Sequence, residues 1–194
     1  MHVGRPPGPG AARGGPLRHP KTALPVITLV LGGTRSGKSA VAEALAARLP
    51  PPVTYVATLA ADPEDDDLAG RIEAHRARRP PGWATVELSA GVSLVEALGS
   101  APGTVVVDSL GPWVAADDNF TVDVEELCRA LHQRVGDAVL VSDEVGMGVH
   151  PSSELGRRFR DRLGEVNQAV AAVADQVLLV VAGRTLTLDV LADP

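Results

Sequence analysis

With one cysteine in 194 residues, the chain can form no internal disulfide and no thiolate metal cage. That residue, Cys128, sits in "EELCRALHQ", which reads as a helix where Cys serves as a small apolar residue, in keeping with a reducing cytoplasm. Aromatics make up only 3% of the chain against 45% hydrophobic residues overall, so the core has to be built from Val, Leu and Ala. Basic excess is missing as well. The formal net charge of -6 argues against a nucleic-acid partner, because such surfaces concentrate Lys and Arg on one face. No run approaches the roughly 20 apolar residues needed to span a bilayer. The runs "VITLVL" and "VLLVVA" are strand-sized, which points to a soluble protein with no membrane span. The first 25 residues are dominated by Pro, Gly, Ala and Arg, with no apolar stretch to serve as a signal-peptide core. They read as a disordered tail ahead of a single domain, residues 26–194.

From Val26 onward, short β-branched runs alternate with longer helical stretches, as expected of a parallel sheet with crossover helices. Strands are expected at Val26–Leu31, Val53–Ala57, Ala84–Leu88, Thr104–Asp108, Asp137–Ser142 and Gln176–Ala182. The last should pair with Arg184–Asp189 in a terminal hairpin turning at Gly183. Helices are expected at Lys38–Leu49, Leu68–Arg79, Ser93–Leu98, Val122–Val135 and Ser152–Ala174. Runs such as "TVVVD" suggest strands buried on both faces. In open sheets of this kind, ligands bind at the carboxyl ends of the strands. There the chain places "GGTRSGKS", "TLAADPEDDD", "DSLGPW" and "DEVGMG".

The first of these has the spacing G-x-x-x-x-G-K-S, between a strand and a helix. In Gly32, Gly33, Thr34, Arg35, Ser36 and Gly37, successive backbone N–H groups can turn inward onto phosphate oxygens. Lys38 adds a mobile positive charge, the Ser39 hydroxyl can ligate magnesium, and the helix beginning there brings its positive dipole end. The fold expected is therefore α/β: a P-loop NTPase of RecA-like type, a mostly parallel sheet flanked by helices with a C-terminal β-hairpin. Such a loop needs a carboxylate on a neighbouring strand to hold magnesium. Asp108 offers one, and Asp143 with Glu144 another; the sequence does not rank them.

In "LAGRIEAHRARRPPGW", Leu68 and Ile72 form an apolar stripe at helical spacing, with Arg71, His75 and Arg78 or Arg79 on an adjoining face. Positive neighbours disfavour the imidazolium, keep the His75 ring neutral and nucleophilic, and attract phosphate. Read from these residues alone, a histidine on a solvated Arg-rich helix is the commoner case. His132 and His150 show no stronger case, His2 and His19 lie in the tail, and no pair of His, Cys or acidic residues has a familiar metal-ligand spacing.

Several segments together resemble one family, the bifunctional adenosylcobinamide kinase/adenosylcobinamide-phosphate guanylyltransferases of cobalamin biosynthesis. They are "TLVLGGTRSGKSAVAEALA", "VTYVATL", "RIEAHRARRPPGWATVEL", "VVVDSLGPWV" and "SDEVGMGVHPSSELGRRFRDRLGEVNQAVAAVADQVLLVVAG". The last is the most specific, since E-V-G-x-G followed by a proline and an R-x-F-R-D-x-x-G-x-x-N-Q helix is not a general P-loop feature. The resemblance implies that His75 is the nucleophile accepting GMP. It implies that Thr58, Glu87 and Asp108 surround the guanine nucleotide, with Arg78 and Arg79 in the basic run that follows the nucleophile. The implied substrates are adenosylcobinamide, adenosylcobinamide phosphate, GTP and ATP, with Mg2+ as cofactor held by Ser39 and Asp108, in a homo-oligomer such as a trimer. The P-loop then reads as a cradle for both reactions, Lys38 common to them and His75 required for one. The chain departs from the family pattern at "DSLGPW", where Gly111 and Pro112 replace Thr and Leu; a hydroxyl is lost and the loop stiffened, which puts the kinase half at issue. The competing readings are another P-loop small-molecule kinase that forms no covalent nucleotide, and a non-catalytic GTP-binding module.

Overall fold

The computed structural model describes residues 24–59, 70, 73, 76, 77, 79–88 and 93–191. In chain order the elements are β1 (Ile27–Gly32), α1 (Lys38–Ala46), β2 (Val53–Ala57), β3 (Ala84–Glu87), α2 (Leu94–Ser100), β4 (Thr104–Asp108), α3 (Leu110–Ala115), α4 (Val124–Gln133), β5 (Ala138–Asp143), α5 (Glu154–Val173), β6 (Gln176–Val181) and β7 (Arg184–Thr187). The strands make one seven-stranded sheet in the order β3-β2-β4-β5-β1-β6-β7. Every pairing is parallel except β6 with β7, the expected hairpin. Ala182 and Gly183 turn it with φ of 50° and 73°, the pair of positive values that matches a two-residue turn to strand twist.

Each central strand feeds two cores, because successive side chains point to opposite faces. Val30, Tyr55, Val106, Val139 and Val141 pack with Ala42 and Ala46 of α1 on one face. Leu29, Val105, Val107 and Leu140 pack on the other with Leu127 and Leu131 of α4 and Leu163, Val166 and Val170 of α5. This is why "TVVVD" has no polar alternation: β4 is buried on both sides down to Asp108. The outer strands β3 and β7 are largely exposed.

Three of the helices begin at side-chain caps. Ser93 and Glu96 form a capping box at α2, Asp123 accepts from Glu126 N at 2.8 Å at α4, and Ser153 accepts from Gly156 N at 3.1 Å at α5. The helices expected from Ser93, Val122 and Ser152 thus start one or two residues later, at Leu94, Val124 and Glu154, since the cap itself is not helical. At α1 the helix stops at Ala46 instead of Leu49, and Arg48 N and Leu49 N bond back to Leu45 O and Ala46 O in a tightened final turn ahead of Pro50. One helix was not expected: α3 forms across Gly111 and Pro112, residues read as a stiff loop. Pro112 falls in the first turn, where its missing N–H breaks no helical bond. Of the expected helix 68–79, Gly70, Glu73, Arg76 and Ala77 are helical, while His75 and Arg78 lie outside the described residues, as do most of the N-terminal tail and the acidic run 62–67.

Candidate functional site

The P-loop leaves β1 at Gly32 and enters α1 through Gly37, whose φ of 94° is the left-handed conformation glycine adopts without steric cost. Arg35 also has a positive φ, 57°. A Cβ on Gly32 would fall 2.5 Å from Ser36 Oγ and 2.8 Å from the Val180 carbonyl oxygen, so the close passage of β6 forbids a side chain there. The hairpin supports the loop from the same side, with Gly183 N donating to Ser36 O at 2.8 Å. The Ser36 hydroxyl is buried with no hydrogen-bond partner among the described residues.

Lys38 lies across this loop. Its Nζ donates to Gly33 O at 3.3 Å and sits 2.7 Å from Asp143 Oδ1. Asp143 ends β5 opposite Gly32, so register alone brings the second candidate carboxylate to the phosphate loop. Asn167 of α5 donates to the Asp143 carbonyl at 3.1 Å and fixes that strand end. Glu144 N bonds to Gly32 O, and its carboxylate accepts from Gly146 N at 2.7 Å, within its own loop.

Asp108 ends β4, level with Val141 of β5. Tyr55 Oη donates to Asp108 Oδ2. Burial, then the negative charge of Asp108 and the hydrogen bond to it, push the Tyr55 phenol far above its ordinary value, so it stays a donor. Thr58 is buried, its hydroxyl donating to Ser109 O at 2.5 Å and accepting from Ser109 N at 2.8 Å.

A second group gathers on β3. A cleft of about 370 Å³ is lined by Arg76, Arg79, Pro80, Pro81, Trp83, Thr85 and Glu87. Arg76 is ion-paired to Glu87. The Arg79 guanidinium stacks 3.8 Å from the centre of the Tyr55 ring and reaches Thr85 Oγ1 at 3.3 Å. The candidates therefore fall into two clusters. Lys38, Ser39 and Asp143 meet at β1 and β5; Arg76, Arg79 and Glu87 meet at β3, four strand positions away, roughly 20 Å at the usual strand spacing. Asp108 and Thr58 lie between, and Tyr55 joins the halves by touching Arg79 with its ring and Asp108 with its hydroxyl.

Sequence reasoning passed over Tyr55 and Asn167. The signal was available for the first: the chain's only tyrosine, in the middle of a strand-length run, needs a partner for its hydroxyl. His132 is exposed near the end of α4. His150 is exposed too, with its Nδ1 2.8 Å from Arg160 NH1. Among the described residues no group of three His, Cys, Asp or Glu side chains could cage a metal ion. No described helix is long and apolar enough to cross a membrane.

A family model described as cobinamide kinase/cobinamide phosphate guanyltransferase matches residues 28–188. The bifunctional adenosylcobalamin biosynthesis protein CobP of Pseudomonas aeruginosa is 39% identical over 167 residues, covering 82% of this chain and 95% of that protein. The bifunctional adenosylcobalamin biosynthesis protein CobU of Escherichia coli is 37% identical over 178 residues, covering 81% and 97%. Among solved structures, an ATPase of a bacterial type III secretion system superposes with a TM-score of 0.52 at 10% identity, over 80% of this chain and 51% of that one. That likeness bears on the fold alone: a P-loop NTPase sheet.

Proposed function

The chain belongs to the cobinamide kinase/cobinamide phosphate guanyltransferase family, and from that premise we propose a two-step chemistry divided between its two clusters of side chains. The enzyme phosphorylates adenosylcobinamide and transfers GMP from GTP to adenosylcobinamide phosphate, giving adenosylcobinamide-GDP. In the first step the aminopropanol hydroxyl attacks the γ-phosphorus of ATP or GTP and the nucleoside diphosphate leaves. Backbone N–H groups of residues 32–37 and the Lys38 ammonium carry the charge that spreads over the transferred group. In the second step an imidazole nitrogen of His75 attacks the α-phosphorus of GTP and pyrophosphate departs. A phosphate oxygen of adenosylcobinamide phosphate then displaces the histidine.

The observation that carries the second step is the β3 cleft. Its volume suits a nucleotide base and ribose, and two arginines beside the His75 segment face a carboxylate that can accept from a guanine edge. Glu87 takes that role, Arg79 and Arg78 bind phosphate, and Thr58 holds the loop after β4 in place through Ser109. Magnesium fits the oxygen donors at hand: the partly exposed Ser39 hydroxyl and Asp108, with Asp143 nearby, suit a cation that keeps its waters and takes phosphate oxygens as further ligands. When bound, it neutralises charge on the phosphates. A homo-oligomer completes the reading.

The decisive experiment incubates the protein with GTP labelled at the α-phosphorus. Label should remain on the protein through base, be lost in acid and be absent from His75→Ala. Label retained by that variant would overturn the nucleophile; phosphorylation of adenosylcobinamide with no covalent nucleotide would leave a kinase alone.

A further inference from the structure

Gly111 is buried in the first turn of α3, and its φ lies outside the left-handed region, so the backbone there does not call for glycine. The closeness of Asp143 does. A Cβ on Gly111 would fall 2.9 Å from Asp143 Oδ2, with Asp143 Cγ and Leu163 Cδ2 both at 3.8 Å. The other oxygen of that carboxylate is the one 2.7 Å from Lys38 Nζ. Asp143 is therefore lodged between a bare stretch of backbone and the ammonium of the phosphate loop.

Its main chain cannot retreat. β5 is paired to β1 as far as Asp143 and to β4 as far as Val141, and Asn167 Nδ2 holds the Asp143 carbonyl. A methyl group at 111 can be accommodated only by turning the carboxylate, and every such turn changes what Lys38 is held against. Glycine is a poor helix former, so its place in the first turn of α3 calls for a reason that the Asp143 pose supplies.

We propose that Gly111 is a positioning residue for phosphoryl transfer: the absence of a side chain there seats Asp143 so that Lys38 is set over the P-loop. The proposal rests on the nucleotide reading of that loop given above.

A double-mutant cycle on the full chain tests it, using wild type, Gly111→Ala, Asp143→Ala and the double variant. Two readouts are taken: affinity for a fluorescent GTP analogue, which needs no acceptor, and turnover with adenosylcobinamide. Gly111→Ala should lower turnover about ten- to a hundredfold, the scale of a misplaced catalytic group, with KM for adenosylcobinamide unchanged. In the Asp143→Ala background the same substitution should change turnover and nucleotide affinity by less than about twofold, because the group it acts through is gone. An equal loss in both backgrounds would place the effect in α3 packing and overturn the proposal, as would a Gly111→Ala enzyme that matches wild type. If Gly111→Ala does not fold alone, its folding in the Asp143→Ala background decides the matter: recovery there supports the contact with the carboxylate, and failure in both backgrounds overturns the proposal. Should wild type not phosphorylate adenosylcobinamide at all, the functional reading fails, and nucleotide affinity across the four proteins still decides the role of Gly111.

Discussion

Tyr55 donates its hydroxyl across the sheet to Asp108, and its ring carries the guanidinium of Arg79. The chain has no other tyrosine, so phenolate absorbance reports this residue alone. Its folded-state pKa is raised, by burial first and by Asp108 second. Above the ordinary phenol value of about 10, the unfolded chain releases its proton first and stability falls as pH climbs. Phenolate should therefore appear only together with alkaline unfolding, not before it. Tyr55→Phe should remove that alkaline limb and lower stability at neutral pH by about 1.5–3 kcal/mol, the range for a hydrogen bond to a charged group.

At Glu87 stability and activity should separate. Arg76 and Glu87 are 45% and 53% exposed, so solvent screens their ion pair and it adds little to stability. Glu87→Ala should leave chemical denaturation nearly unchanged and reduce formation of the GMP adduct about ten- to a hundredfold, the loss of a charged hydrogen bond. Equal effects on folding and on adduct formation would place Glu87 outside nucleotide recognition.

Gly32→Ala should damage the phosphate loop from within, because its methyl would fall against both the Ser36 hydroxyl and the backbone of β6. The added methyl meets the Val180 carbonyl, which is backbone and cannot swing aside. A destabilisation of about 1–3 kcal/mol is expected from overpacking, with nucleotide affinity falling in parallel. Thermal unfolding and titration with a fluorescent nucleotide read the two effects.

Lys38→Met keeps the length of the side chain and removes its charge. Phosphoryl transfer should fall about a hundred- to a thousandfold, the usual cost of losing one preorganised charge-stabilising group. Asp143, 29% exposed, can turn to solvent, so the fold should persist, as circular dichroism would show.

The strands were legible because their apolar runs are strand-length and their ends carry the polar residues a nucleotide needs. Val53–Ala57 and Thr104–Asp108 fall where the pattern puts them. The short helix α3 was not legible, since Gly111 and Pro112 are helix breakers in any local reading, and only the contacts of this turn with β5 and α5 override them. The ranking of the carboxylates was likewise hidden: the pairing of Asp143 with Lys38 follows from the parallel register of β1 and β5, residues more than a hundred positions apart, which no spacing motif encodes. Thr58 was picked out by resemblance as a nucleotide neighbour, yet its hydroxyl is engaged on both sides by the Ser109 backbone, a role that depends on where β4 ends.

The Gly183 turn beneath the P-loop sets an order of events in synthesis. Gly32 lies against Val180, and Ser36 is anchored by Gly183, so a segment made early in translation is finished by one made late. A ribosome-bound chain that stops before β6 would have written the whole phosphate motif and still lack the surface on which it rests. Nucleotide should protect the nascent enzyme only after the hairpin has emerged.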